Sequence, residues 1–262
     1  MTTDLLFKRA KALRLHGIIQ HWPEVCALPW LKPMIEWEEE SRLHRSLDRR
    51  LTLSKLGRFK SLAEFDWSWP KSCDRESIED LMQLEFLSTA TNIILCGPNG
   101  VGKTTIACNL PHQAVLRGQS VLFTPAGAML RDLASQEGDS ALRRRLKYYE
   151  TPKLLIIDEL GYHPHPSAYA DLLFEVVAQR HQRKSTLITT NKPFSEWASI
   201  FPSSACVVSL IDRLIHHSEI IVIEAESFRL KEYREKEQIR VATRAKRQKS
   251  ALSTKKTKTT EK

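Results

Sequence analysis

The chain lacks the features that mark exported or membrane-bound proteins. Its 262 residues contain no apolar run that approaches the roughly 20 residues of a membrane-spanning helix, and the scattered leucines and basic residues near Met1 do not form a signal-peptide core. The five cysteines are odd in number and include no C-x-x-C pair, so we expect neither a structural disulfide nor a zinc site. These absences predict a cytoplasmic protein in a reducing compartment, with no membrane partner.

Positive charge is concentrated at the two ends of the chain. The net charge is +9, and residues 240–262 alone hold nine basic side chains against one acidic side chain. Residues 1–60 are also basic, whereas the stretch between these ends is slightly acidic. Two basic ends favour contact with a polyanion such as nucleic acid, although a low-complexity tail like the one after Lys249 often only aids solubility.

One glycine-rich segment follows the apolar run 92–96 and precedes a predicted helix. It fits G-x-x-x-x-G-K-[ST] at every fixed position. Glycines let backbone N–H groups surround a triphosphate, Lys103 places a positive charge on the β- and γ-phosphates, and Thr104 offers a hydroxyl to Mg²⁺. The predicted nucleoside triphosphate site consists of Gly97, Pro98, Asn99, Gly100, Val101, Gly102, Lys103, Thr104 and Thr105.

An acidic pair follows a second apolar strand. Residues 154–157 are continuously apolar, as in a strand buried on both faces of a parallel sheet, and Asp158 and Glu159 come directly after them. At the carboxyl end of such a strand, Asp158 would hold Mg²⁺ directly or through water, and Glu159 would polarise a water for attack on the γ-phosphate. A nucleotide kinase would need an acceptor pocket instead, so the adjacent acids favour hydrolysis.

Two further residues fit a hydrolytic site. Asn191 follows the predicted strand 186–190 and would hold the attacking water beside the acidic pair. It begins an N-K-P-F tetrapeptide, whose phenylalanine occupies the aspartate position of a guanine-reading N-K-x-D motif, so the pattern favours ATP over GTP. Arg213, in a predicted apolar helix, would stabilise transition-state charge across a subunit interface. Its spacing leaves an ion pair with Asp212 or another nearby acid equally open.

Strands and helices alternate after residue 80. We predict strands at 93–96, 120–123, 154–157, 186–190 and 220–223, and helices at 103–116, 126–134, 140–149, 168–182 and 209–216. This alternation predicts an α/β fold with a parallel sheet covered on both faces. Pro111 conflicts with the pattern, because a proline inside a helix removes a hydrogen bond at a cost of about 3 kcal/mol. We therefore expect the helix either to kink there or to end early and restart.

The chain before residue 70 has a different character. Residues 4–60 are predicted to be helical, since Leu43, Leu47 and Leu51 recur every four residues among arginines. Residues 66–70 indicate a linker whose two tryptophans would pack on the next domain rather than stack on bases. We expect three parts: a helical N-terminal domain at 1–70 that binds DNA or a partner, a nucleotide-binding domain at 71–235, and a basic extension at 236–262 that is disordered toward its end.

Several ordered motifs together resemble one family. Besides the glycine-rich segment and residues 154–162, the motifs are ADLLF at 170–174, TTNKPF at 189–194, DRLIHH at 212–217 and SFRLK at 227–231. With them, roughly residues 80–235 resemble the IstB transposition helpers. These are AAA+ ATPases encoded beside the transposase of certain bacterial insertion sequences, and they are related to the DnaA and DnaC replication proteins. The resemblance implies a P-loop AAA+ three-layer domain.

The resemblance also implies partners and residue roles. Proteins of this kind oligomerise on double-stranded target DNA with ATP, bend it, and recruit and stimulate the partner transposase, which would place this chain at the bacterial nucleoid. Arg213 becomes the arginine finger, Asn191 the sensor of the γ-phosphate, and Arg229 a residue that reads the nucleotide from a second subunit. The helices at 126–149 become the helical insertion of the initiator and loader branch. Four basic residues in them would face DNA phosphates: Arg143, Arg144, Arg145 and Lys147.

Two other functions share part of this pattern. A helicase loader of the DnaC type has the same core and would need an N-terminal module that binds a helicase. ATP-dependent binding to random duplex DNA, as against binding to a helicase, separates it from a transposition helper. A small-molecule kinase on a P-loop fold would need an arginine-rich lid near an acceptor site, and the sequence contains no evident segment of that kind.

Overall fold

A computed structural model describes residues 3–162, 166–201, 205–234, 236–238 and 240. Within these residues the strands are β1 Asn92–Cys96, β2 Val121–Pro125, β3 Leu154–Leu160, β4 Ser185–Thr190 and β5 Ser218–Val222. They form one parallel sheet in the order β2-β3-β4-β1-β5. The five predicted strands are confirmed to within a few residues, and β3 extends through the acidic pair. Most of the predicted extension 236–262 lies outside the described residues.

Helices precede the sheet and alternate with its strands. They are α1 Thr3–Ala12, α2 His16–Gln20, α3 Trp22–Val25, α4 Leu31–Ser54, α5 Arg75–Leu81, α6 Phe86–Thr89, α7 Lys103–Leu116, α8 Ala126–Ala134, α9 Asp139–Glu150, α10 Ser167–Arg180, α11 Trp197–Ile200 and α12 Val207–Ile215. Single 3₁₀ turns cover Leu62–Glu64 and Phe194–Glu196, and residues 228–234 are helical. The helices predicted after residue 80 are therefore confirmed. None of the described helices is both long and apolar enough to span a membrane.

The helix after the glycine-rich loop corrects one expectation. We expected Pro111 either to kink this helix or to end it, but α7 runs without interruption from Lys103 to Leu116, so an early end and restart is wrong. Both Leu110 and Pro111 are buried in the helix. Burial of this apolar segment under the sheet offsets the hydrogen bond that proline cannot donate.

The sheet separates two hydrophobic clusters, and β3 contributes to both. Leu155 and Ile157 belong to the cluster under α8, α9, α10 and α12, whereas Leu154 and Ile156 belong to the cluster under α7. Successive side chains of a strand point to opposite faces, so a strand covered on both sides needs apolar residues at every position. This explains why the sequence of β3 is continuously apolar.

The N-terminal helices have a small cluster of their own, and the chain that follows them joins the larger core. Leu6, Leu31 and Ile35 are buried together between α1 and α4. Further along, residues 56–67 contribute apolar side chains to the cluster under α7. Trp67 belongs to this cluster, so the interpretation that the linker tryptophans pack on the nucleotide-binding domain is confirmed for this ring.

A buried arginine ties α9, α10 and the start of β4 together. Arg180 is 1% exposed, and burial lowers its pKa to about 9. Its guanidinium donates to the carbonyls of Tyr149, Glu150, Pro152 and Ser185 and to the hydroxyl of Thr186. Three of these carbonyls belong to the end of α9 and the turn after it, where a helix leaves acceptors without partners. Arg180 therefore supplies hydrogen bonds that the backbone there cannot make by itself.

We predict that Arg180→Met lowers the free energy of unfolding by about 3 kcal/mol, because several buried carbonyls lose their donor at once. Urea unfolding followed by circular dichroism measures the change. Arg183→Met is the matched control, because Arg183 is exposed in the next turn and its loss should change stability by about 0.5 kcal/mol or less. Equal unfolding midpoints for the two variants would show that the Arg180 hydrogen bonds do not contribute to the stability of the fold.

Candidate nucleotide-binding site

The glycine-rich loop connects β1 to α7 and is closely packed by other parts of the chain. Gly100 has φ +80°, and a Cβ there would lie 2.3 Å from Ser227 Oγ. Gly102 has φ +101°, and a Cβ there would lie 2.4 Å from a ring carbon of Phe65. These positions require glycine both for the left-handed backbone and for the close approach. The loop is therefore held between the segment before β1 and the segment after β5.

Lys103 begins α7 at the floor of the loop. Its ammonium donates to the carbonyls of Gly97 and Pro98, each at 2.7 Å, and burial lowers its pKa. The predicted nucleotide-binding residues from Asn99 to Thr105 line one cleft of about 400 Å³. A cation at the start of a helix, beneath a glycine-rich loop, fits the phosphates of a nucleotide.

Asp158 and Thr104 lie together, as a shared magnesium site requires. Thr104 Oγ1 is 3.3 Å from both carboxylate oxygens of Asp158, and Asp158 is 5% exposed. Burial raises the pKa of Asp158, whereas hydrogen bonds from Thr189 and Thr104 oppose the rise. A hydroxyl and a carboxylate are hard oxygen ligands of the kind that Mg²⁺ prefers. The residues present therefore fit this ion.

Glu159 and Asn191 both line the same cleft. The side chain of Glu159 is exposed, while its backbone amide donates to Thr189 Oγ1 at 2.8 Å. The Oδ1 atom of Asn191 is buried and has no hydrogen-bond partner among the described residues. An unpartnered buried oxygen needs a donor, and a water or ligand in the cleft would supply one. The structure thus brings together the acid pair and the asparagine that the sequence singled out separately.

The cleft also contains residues that sequence reasoning missed. Lys60, Phe65 and Trp69 come from the segment before β1, and Phe228 comes from the helical segment after β5. Arg229 is exposed and also lines the cleft. The structure therefore places this arginine in the site of its own chain. Aromatic residues near 65–69 and at 228 were visible in the sequence, but nothing in their spacing indicated that two segments so far apart meet.

Ion pairs and rings join these two segments across the mouth of the cleft. Lys60 Nζ lies 3.0 Å from a carboxylate oxygen of Glu232, and Lys231 Nζ lies 3.3 Å from one of Asp66. The indole of Trp69 donates to the carbonyl of Glu226 at 2.9 Å. In addition, the backbone amide of residue 228 donates to the carbonyl of residue 100 in the loop at 3.0 Å. The cleft is therefore bounded by the segment before β1 on one side and the segment after β5 on the other.

Arg213 lies outside this cleft. Its guanidinium carbon is 4.3 Å from the ring centroid of Phe174 on α10, and the backbone carbonyl of Arg213 is 3.1 Å from His181 Nδ1. It is not among the residues that line the nucleotide-binding cleft of its own chain. Arg213 therefore does not contribute to the cleft of its own chain in this arrangement.

The basic residues of α9 differ in their surroundings. Arg145 pairs with the carboxylate of Asp132 on α8, which also accepts a hydrogen bond from Tyr149, and its guanidinium lies 4.3 Å from the centroid of the Tyr148 ring. The other three candidates are exposed: Arg143, Arg144 and Lys147. Arg145 therefore holds α8 and α9 together, whereas the other three basic side chains are exposed on the surface.

The sheet order, the loop after β1, the acids of β3 and the asparagine after β4 define an ATP-binding domain of the AAA+ class. Residues 8–236 match the family model described as IstB-like ATP binding protein, and the chain belongs to this family. It is 35% identical over 200 residues to the insertion sequence IS21 ATP-binding protein of Pseudomonas aeruginosa, covering 76% of each chain. It is 33% identical over 241 residues to the IS232 ATP-binding protein of Bacillus thuringiensis subsp. berliner, covering 90% of this chain and 96% of that one.

Solved structures support the same fold. A crystal structure of DnaI superposes with a TM-score of 0.54 at 18% identity, covering 68% of this chain and 98% of that chain. This similarity concerns the fold alone. The resemblance to the IstB helpers and the AAA+ fold that it implied are therefore confirmed.

We predict that Lys103→Ala abolishes ATP binding, because the cleft loses its buried cation beneath the loop. Isothermal titration with a non-hydrolysable ATP analogue measures the affinity. Lys11→Ala, an exposed lysine on α1, serves as the control and should bind like the parent. Retention of affinity by Lys103→Ala to within about threefold would show that the loop does not hold phosphates.

Proposed function

We propose that this protein is an ATP-hydrolysing helper of DNA transposition that assembles on duplex target DNA and recruits a partner transposase. The observation that carries hydrolysis is the arrangement at the carboxyl edge of the sheet. Asp158 is buried against Thr104, Glu159 is exposed in the cleft, and the buried Oδ1 of Asn191 lacks a partner. The ATP-binding proteins of insertion sequences that the chain resembles supply the context of transposition.

Each residue of the cleft has a chemical role in this proposal. Lys103 and the loop amides bind the phosphates, while Thr104 and Asp158 hold Mg²⁺. When bound, the ion neutralises charge that develops on the phosphates. Glu159 accepts the proton of the attacking water, and Asn191 Oδ1 accepts a second hydrogen bond from it. A water that donates to both oxygens is fixed in orientation, which lowers the entropy cost of attack.

Assembly on DNA is supported by residues that the single chain leaves unused. Arg213 lies on α12 with its guanidinium over the ring of Phe174, and another side of the same helix carries the apolar residues Val208 and Ile215, which are 78% and 41% exposed. A second copy that packs against α12 would bury the two exposed apolar side chains, and we assign Arg213 to the nucleotide of that neighbour, where its charge would stabilise the transition state.

The outward face of α9 is our candidate for contact with DNA. Arg143, Arg144 and Lys147 are exposed on a helix whose position is fixed by the Arg145–Asp132 pair. Exposed basic side chains on a rigid helix bind phosphates without reading sequence. We assign Arg145 a supporting role, since its guanidinium is already paired.

We predict that Glu159→Gln preserves ATP binding and lowers turnover by about 10²- to 10⁴-fold, because the amide cannot accept the proton of the water. Phosphate release at saturating ATP measures turnover, and titration of a labelled ATP analogue measures binding. If the ATP-bound state is the assembled state, this variant forms longer-lived oligomers on duplex DNA than the parent does. Equal ATPase rates in parent and variant would remove Glu159 from the mechanism.

Arg213→Ala is the contrasting variant. It should bind ATP like the parent but assemble less well on DNA, because the residue acts on a neighbouring subunit. Binding to random duplex DNA with ATP, compared with binding to a replicative helicase, separates this proposal from a helicase loader. Oligomers that vanish in Glu159→Gln while ATP still binds would contradict an ATP-driven assembly.

For DNA contact, we predict that Arg143→Glu combined with Arg144→Glu weakens duplex binding and reduces its salt dependence. Each lost phosphate contact lowers the slope of log affinity against log salt by about 0.9. Fluorescence anisotropy over a salt series measures the slope. Arg183→Glu, an exposed arginine on the loop before β4, is the matched control with the same change of charge per residue. An unchanged slope would assign DNA contact to another surface, and the N-terminal helices would then be the next candidate.

A further inference from the structure

Thr189 contacts both acids of the pair, a role that its place in the TTNKPF motif does not by itself indicate. This threonine lies on β4 and is 0% exposed. Its hydroxyl donates to Asp158 Oδ1 at 2.5 Å and accepts a hydrogen bond from the backbone amide of Glu159 at 2.8 Å. The directions are determined by chemistry: an amide can only donate, so the single hydroxyl proton remains for the carboxylate. One side chain therefore bridges the magnesium ligand and the water-activating residue.

The backbone of Glu159 needs such support. Its φ is +61°, in the left-handed region that residues with a Cβ rarely adopt. The pairing of β3 with β4 also shifts register between Ile157 and Leu160, so the regular strand hydrogen bonds are interrupted at this point. A strained residue persists only where its surroundings hold it in place. The Thr189 hydroxyl replaces, for the Glu159 amide, the partner that the interrupted ladder does not supply.

We propose that Thr189 is a positioning residue for ATP hydrolysis: its hydroxyl holds the Asp158 carboxylate and the Glu159 backbone in one fixed arrangement beside Asn191. Without it, the amide of Glu159 loses its acceptor, and the carboxylate of Asp158 keeps Thr104 as a side-chain donor. The carboxylate of Glu159 then samples positions away from the attacking water. This inference rests on the proposed hydrolytic function, but the contacts it uses exist in the nucleotide-free protein.

Three variants of β4 test the proposal kinetically. Thr189→Val removes the hydroxyl at almost constant volume, Thr189→Ser keeps the hydroxyl, and Thr186→Val removes another buried hydroxyl from the same strand. Among the described residues, the Thr186 hydroxyl accepts from Arg180 and lies at the other end of β4. We expect Thr189→Val to lower kcat by about 10- to 100-fold, the scale of a misplaced catalytic group. Its KM and its affinity for an ATP analogue should stay within about threefold of the parent.

The serine and control variants then distinguish positioning from folding. Thr189→Ser should restore most of kcat, whereas Thr186→Val should lower the melting temperature without lowering kcat. Thr189→Ala replaces Thr189→Val if the valine variant does not fold. A parental kcat in Thr189→Val, or a kcat loss as large in Thr189→Ser and Thr186→Val, would overturn the proposal.

Amide hydrogen exchange in the nucleotide-free protein provides a readout independent of turnover. The amide of Glu159 should be protected in the parent and in Thr189→Ser, and should exchange about five- to tenfold faster in Thr189→Val, as expected for loss of one hydrogen bond. Equal exchange in parent and Thr189→Val would overturn the positioning role. If the parent itself does not hydrolyse ATP, the proposed function fails, and the exchange result still decides whether Thr189 holds Glu159.

Discussion

The site depends on one carboxylate that the sheet keeps buried. Asp158 ends the central apolar run of β3, and burial by itself raises its pKa, which disfavours the charged form that binds a cation. Two hydroxyls, from Thr104 on α7 and Thr189 on β4, oppose that effect by donating to the carboxylate. The carboxylate at the end of this run on β3 is thus held by hydroxyls from two other elements, α7 and β4. The same threonine of β4 also accepts a hydrogen bond from the backbone amide of Glu159.

The second constraint is the tight packing of other parts of the chain around the glycine-rich loop. Phe65 and Ser227 lie so near Gly102 and Gly100 that neither position admits a Cβ. The loop is therefore packed between segments that flank the sheet in sequence, and these segments are joined by the Lys60–Glu232 ion pair. Exposed ion pairs contribute little stability, so the aromatic packing carries most of this contact. A change in the conformation of the loop on binding phosphates would therefore be transmitted to both flanking segments.

Most of the fold and the core of the site were predictable, for a specific reason in each case. The P-loop requires glycines, a lysine and a hydroxyl at set spacings, and strands buried on both faces require continuous apolar sequence, so both leave local signals. Asn191 was predictable because it follows a strand beside the acidic pair. Of the two alternatives at Pro111, the one in which the helix ends and restarts was wrong, because burial of the helix outweighed a local preference. The roles proposed for Arg213 and α9 stay predictions, since they concern contacts beyond one chain.

By itself, the sequence determined the identity of the phosphate loop, the acidic pair, the parallel sheet and the family, because these features are encoded within short stretches of chain. Tertiary structure alone decided which distant residues meet. It paired Arg145 with Asp132, placed Arg229, Phe65 and Trp69 in one cleft, and brought the Thr189 hydroxyl between Asp158 and Glu159. Such contacts depend on strand order and helix packing. A threonine hydroxyl that bridges two acids has the same sequence signature as any other buried threonine in a strand.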